Sequence, residues 1–201
     1  MQVNPKSGLS FAAGLRSMVR ADPDIIMVGE VRDRETAQIA IESALTGHLV
    51  LTTLHTNDAP LAAARLVEMG IEPYLVASGV VCVVAQRLVR RLCECKNEVE
   101  LTKEVLNDQG FDCDEGFKAY EPVGCVRCNH TGYKGRFGIY EVLQVGEGIR
   151  KLILERAGAD DLRKLARAEG MRTLREDGLR KIRNGDTSVA EVLRVAGNSA
   201  R

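Results

Sequence analysis

The chain has no tryptophan, and aromatic residues make up only 4% of its 201 positions. A core without large rings must be filled by Val, Leu, Ile and Ala, and single-stranded nucleic acid would find few stacking platforms here. Net charge is absent as well. The 28 basic residues balance the 28 acidic ones, which removes the chain-wide positive field of a nucleic-acid or membrane-surface binder. The longest apolar stretch, Leu75 to Ala85, is too short to cross a bilayer, and the opening MQVNPKSGLS contains no apolar signal segment. A cytoplasmic protein is the expectation. No Gly-Lys dipeptide occurs anywhere, so the phosphate-cradling loop G-x-x-x-x-G-K-[ST] is missing from these residues.

What is present suits one compact α/β domain with a smaller appendage: 45% apolar and 28% charged residues, in ordinary soluble proportion. NPKSG is turn chemistry, and it runs at once into an amphipathic pattern (Leu9, Phe11, Leu15, Met18, Val19). So abrupt an opening suggests that a front segment is missing. Residues 9–20 read as a helix, 25–29 as a buried strand, and RDRETAQIAIESALTG as a helix ended by Gly47. HLVLTTLHT (48–56) reads as a second buried strand. Asn57-Asp58 then offers a cap for a helix reaching Met69. This alternation predicts a parallel sheet with right-handed crossovers. Farther on come a short helix in IEPYLVASG, a strand in VVCVVAQRLVRRLC and a Cys-rich polar module to about Arg136. RFGIYEVLQV returns as a strand, and helical patterns capped by Asp160, Thr173 and Thr187 complete the chain.

The stretch DPDIIMVGEVRD carries the first chemical signal. Its apolar run breaks at Gly29 and delivers Glu30 to the carboxyl end of a strand, the place where α/β sheets put ligands. The second strand ends in Thr53, His55 and Thr56. If the two strands are parallel neighbours, a carboxylate and an imidazole meet there, able to deprotonate a water or sense a γ-phosphate. A solvated loop residue is the plainer reading of an isolated Glu. His48 opens the same strand that His55 closes, so the two cannot share a metal, and a structural hydrogen bond is the favoured role for His48.

Six Cys in such a protein point to metal or buried thiols before disulfides. LCECK supplies Cys93 and Cys95, and GCVRCNHTGYKGR supplies Cys125 and Cys128, two close pairs matching the paired knuckles of a structural zinc site. The first pair is C-x-C, one residue short of the usual loop. Cys113 and His130 are substitute ligands, and Cys82 in its apolar strand reads as an inert core thiol. Basic residues cluster at Arg16 and Arg20, at Arg87, Arg90 and Arg91, and at Lys134 and Arg136. Spacing alone does not choose between solvated faces and phosphate contacts.

Together these motifs resemble the secretion ATPases of type II secretion and type IV pilus assembly. VNPKSGLSFAAGLRSMVRADPDIIMVGEVRD is similar to that family's Walker B region and TGHLVLTTLHTNDA to its His box. AQRLVRRLC, the Cys pairs and GCVRCNHTGYKGRFGIYEVL resemble the tetracysteine region of the assembly and secretion branch, which retraction ATPases generally lack. GMRTLREDGLRKIRNGDTSVAEVLRV matches its C-terminal helices. The resemblance implies an α/β fold: the C-terminal half of a RecA-like parallel-sheet ATPase domain (1–92), a zinc-knuckle module (93–136), and a returning strand with a C-terminal helical subdomain (137–201). It implies catalytic roles for Glu30 and His55. Gly29, Arg32, Asp33, Thr53 and His48 would surround the nucleotide, and Cys93, Cys95, Cys125 and Cys128 would hold Zn²⁺. It further implies ATP with Mg²⁺, a homo-hexamer in the full-length protein, an inner-membrane platform protein as partner, and a place at the inner face of the cytoplasmic membrane. The family's Walker A loop precedes the matched residues, so the 201 residues alone are expected neither to bind ATP tightly nor to hydrolyse it. Two other classes compete: a non-catalytic zinc-containing binding module, and a zinc-dependent nucleic-acid binder, which the neutral charge disfavours.

Overall fold

The computed structural model describes residues 10–197. The NPKSG turn lies outside them. The chain divides into two compact units, each described by itself. One comprises the described residues up to Val83 with Leu143–Met171, and the other Val84–Val142 with the described residues from Arg172. The last four helices are shared between these units.

In the first unit, α1 (Phe11–Val19) starts where the Ser10 hydroxyl accepts from the Ala13 N–H, and it buries Ala12, Gly14 and Leu15. β1 (Ile25–Val28) and β2 (Leu49–Thr52) pair in parallel, with Ile25 opposite Leu49 and Val28 opposite Thr52. Between them runs α2 (Arg34–Leu45), which buries Thr36, Ala37, Ala40 and Ile41. This is the expected strand–helix–strand unit, with one correction. Neither strand is buried on both faces: Ile26 and Val28 are covered, whereas Ile25 and Met27 are 60% and 76% exposed and Leu49 and Leu51 about half exposed. A parallel strand needs a layer on each face, and among the described residues α1 and α2 supply one.

Next come α3 (Ala59–Glu68), capped by Asp58 with Pro60 in its first turn, and α4 (Pro73–Gly79). α6 (Glu147–Leu154) and α7 (Ala159–Ala168) complete this unit. α6 packs on α4, and α7 on α3 and α6, burying Ile149, Ile153, Leu162 and Ala166. Gly158 caps α7, so Asp160 is not the cap the sequence suggested but lies in the first turn, where its charge suits the helix dipole.

β3 (Cys82–Leu92) and β6 (Tyr133–Gln144) form a two-stranded sheet. Val145 N–H bonds Val81 carbonyl near one end and Cys93 N–H bonds Gly132 carbonyl near the other, so the pair is antiparallel. Along β3 burial alternates. Ala85 and Val89 are covered, while Cys82, Val84 and Leu88 are exposed. Cys82 is therefore not a core thiol: the run VVCVVA concealed a period of two, and Cys82 stands on the open face.

In the second unit, β4 (Asn97–Leu101) and β5 (Phe117–Glu121) form an antiparallel hairpin enclosing α5 (Lys103–Asp108). α8 (Leu174–Arg183) opens with a capping box in which Thr173 and Glu176 bond each other's backbone N–H, as its sequence suggested. α9 (Val189–Ala196) is capped by Ser188 rather than Thr187. Thr187 donates instead to the Arg90 carbonyl at 2.8 Å.

Candidate functional site

The parallel register of β1 and β2 decides what their carboxyl ends bring together. Thr53 donates its hydroxyl to the Gly29 carbonyl at 2.7 Å, and the Val31 N–H donates to the Thr53 carbonyl at 3.0 Å. These bonds extend the pairing beyond the strands and align the two loops. His55 Nε2 then lies 3.0 Å from Glu30 Oε2, and Arg32 reaches Glu30 Oε1 at 2.7 Å. The Glu30 side chain is 21% exposed, against 80% for His55. The Arg32 guanidinium first, and His55 second, hold the Glu30 carboxyl below the usual carboxylate range. Glu30 is thus an anion at neutral pH, fit to accept a proton or orient a water rather than to act as an acid.

Beside this pair lies a pocket of about 260 Å³ lined by Val31, Arg32, Leu54, His55, Arg65 and Met69. Sequence reasoning missed Arg65 and Met69, which sit on and just after α3. Only the neighbouring Asp58 cap hinted that this helix would start close to His55. Asp33 is spent elsewhere. Its carboxylate caps α2, accepting from the Thr36 N–H at 2.8 Å and the Thr36 hydroxyl at 3.1 Å. His48 does not join the pair either. It precedes β2, and its Nδ1 lies 2.9 Å from the Ser43 carbonyl and 3.2 Å from the Thr46 hydroxyl. Of the basic candidates, Arg16 pairs with Glu35, Arg90 with Glu191 and Arg91 with Asp186.

The four sulfurs of Cys93, Cys95, Cys125 and Cys128 lie within 4.8 Å of one another. The Sγ–Sγ separations are 3.9 Å for Cys93–Cys125, 3.9 Å for Cys95–Cys128 and 3.8 Å for Cys125–Cys128. A tetrahedron of thiolates about 2.3 Å from a central zinc has edges of about 3.8 Å. The set fits the ion, and the C-x-C spacing does not prevent closure. Cys113 is outside the cluster, tied by its backbone to the Asn107 side chain. Left-handed residues shape the knuckle. Gly132 has φ +75° and packs so tightly that a Cβ would meet Pro122 at 2.4 Å, while its N–H points at Cys128 Sγ, 3.3 Å away. Burial opposes ionisation of Cys128, but the Cys125 and Gly132 backbone N–H groups bring its thiol down to about 6. For Cys95 the Gly124 backbone pulls down while burial and the other thiols push up, to about 11. One thiolate is available near neutral pH as a first ligand.

The model for the Type II/IV secretion system protein family matches residues 1–194. The chain belongs to this family. Among curated members, it is 53% identical over 195 residues to the type IV pilus assembly ATPase PilB of Thermus thermophilus, covering 96% of this chain and 22% of that protein. It is 52% identical to the type II secretion system protein HxcR of Pseudomonas aeruginosa, covering 97% and 38%. The chain thus spans well under half the length of these relatives. Among solved structures, the pilus retraction motor PilT with bound ADP matches with a TM-score of 0.64 and 26% identity, over 92% of this chain and 43% of that one. The Legionella pneumophila ATPase DotB gives 0.63 and 28%, over 94% and 42%. The resemblance and the α/β fold class read from the sequence therefore hold for this secretion-family chain. Among its described residues no helix is long and apolar enough to cross a membrane.

Proposed function

We propose that this chain is the glutamate-bearing part of a hexameric ATP-hydrolysing motor that drives pilin or pseudopilin polymerisation, in type IV pilus assembly or type II secretion. The observation that carries the reading is the 3.0 Å contact between His55 Nε2 and Glu30 Oε2 at the ends of neighbouring parallel strands. Glu30, kept ionised by Arg32, orients and polarises the attacking water, and His55 stands where it can position the γ-phosphate. Arg32 and Thr53 fix the loops, Gly29 lends its carbonyl to Thr53, and Asp33 and His48 brace the elements on either side of the site. ATP would be bound with Mg²⁺, which supplies charge neutralisation at the phosphates. Zinc, held by Cys93, Cys95, Cys125 and Cys128, would be structural. The motor would work at the inner face of the cytoplasmic membrane on a platform protein, without nucleic acid. Relatives named for pilus assembly and secretion support this reading.

The test is Glu30→Gln in the full-length hexamer. Turnover should fall by at least about 100-fold while ATP binding stays nearly intact, as for a general base acting in the transition state. Near-normal turnover would sink the proposal. A second reading, a non-catalytic zinc-containing oligomerisation module, draws on the cluster of Cys93, Cys95, Cys125 and Cys128. A reading frame continuing upstream into a Gly-Lys-Ser/Thr loop favours the motor, and an authentic start codon at Met1 favours the module.

A further inference from the structure

The loop that carries His55, residues 53–58, is pinned at both ends. Thr53 holds the near end through its bonds to Gly29 and Val31. The far end is Asp58, whose side chain is only 6% exposed. Its Oδ1 accepts from the Leu61 N–H at 2.9 Å and so caps α3, and its Oδ2 accepts from Arg163 on α7 at 2.7 Å. Thr56 stitches the span between, donating its hydroxyl to the Asp58 carbonyl at 3.2 Å. His55 itself is 80% exposed, so packing does little to hold its ring, and its placement depends on these anchors.

Arg163 is no casual surface partner. It follows Leu162, which is fully buried, and it bonds Asp160 as well as Asp58. Its Nε is buried without a hydrogen-bond partner among the described residues. A guanidinium that leaves one donor unmet is held by its other contacts, here those to the two carboxylates. α7, clamped against α3, thereby fixes the end of a loop 105 positions earlier in the chain.

We infer that Arg163 is a positioning residue: through Asp58 it holds loop 53–58 so that His55 stays beside Glu30. This rests on the motor reading. The relevant assay is steady-state ATP hydrolysis by the full-length hexamer, with turnover expressed per bound nucleotide so that misfolded molecules drop out. Arg163→Met should lower kcat by about 10- to 100-fold, the usual effect of displacing a reacting group by about 1 Å, with the KM for ATP within about twofold. Arg163→Lys should recover part of the loss. Asp58→Asn keeps a capping oxygen for α3 but offers Arg163 no charge, and should lower kcat in the same way. Because the two act as one unit, the double variant Asp58→Asn/Arg163→Met should be no slower than the worse single. Undiminished kcat in Arg163→Met, or losses that multiply in the double variant, would overturn the assignment. Glu30→Gln in the same assay separates the two ideas. If it still turns over, the motor reading falls and takes this inference with it. If it is inactive while Arg163→Met is normal, only the role of Arg163 falls.

Discussion

Glu191 offers a stability prediction that can be worked through from its contacts. Its side chain is fully buried, yet its two oxygens accept five hydrogen bonds: from the Arg90 N–H at 2.9 Å, Arg90 Nε at 2.9 Å and Nη2 at 2.7 Å, and Arg194 Nε at 3.0 Å and Nη2 at 2.7 Å. Burial raises the carboxyl pKa, but Arg194 and Arg90 more than offset it and bring it from 4.5 to about 2. That lowering corresponds to roughly 3 kcal/mol. The arginine side chains are about half exposed, so solvent screening reduces the expected contribution to about 2 kcal/mol. Since the folded-state pKa is the lower one, this stabilisation is complete above pH 4.5 and is lost as pH falls towards 2. Glu191→Gln should therefore cost about 2 kcal/mol at pH 7, and the deficit should shrink below pH 4.5. Urea unfolding followed by tyrosine fluorescence is the assay, since Tyr120, Tyr133 and Tyr140 lie in the second unit and only Tyr74 in the first. Comparing the two proteins at each pH cancels effects common to both, including loss of metal. A deficit under about 0.5 kcal/mol at pH 7, or one that persists unchanged at pH 2.5, would refute the reasoning.

Freshly reduced protein should contain one zinc per chain by elemental analysis, and Cys95→Ala should abolish it. Zinc contributes about 10–16 kcal/mol of binding energy in small structural sites, so chelation should unfold the second unit while leaving helical signal from the first. The 201 residues alone should show no Mg-ATPase activity above background in a phosphate-release assay, and measurable turnover would contradict the need for an upstream phosphate loop.

The parallel strands and the meeting of Glu30 with His55 were legible because the pattern there is local. Two short apolar runs end in polar residues, a helix of crossover length separates them, and parallel pairing follows. The Asp58 cap was legible for the same reason. The partner of Asp58 was not, because no periodicity links positions 58 and 163. Cys82 was misread because a continuous apolar run hides which face each residue takes. β4 and β5 were not singled out within the polar Cys-rich module, where hairpin pairing outweighs weak strand propensity. The cysteine pairs were legible as ligands, whereas the closure of their four sulfurs into one cluster despite the short C-x-C loop was not.

The first compact unit is assembled from two stretches of chain that the other unit's residues separate. Gene dissection must respect that. A stop codon placed just after β6 would not trim a peripheral tail. It would strip away α6 and α7, uncover α3 and α4, and discard Arg163 along with them. The second unit, conversely, could be replaced only as a pair of exchanges, one between residues 83 and 143 and one after 171.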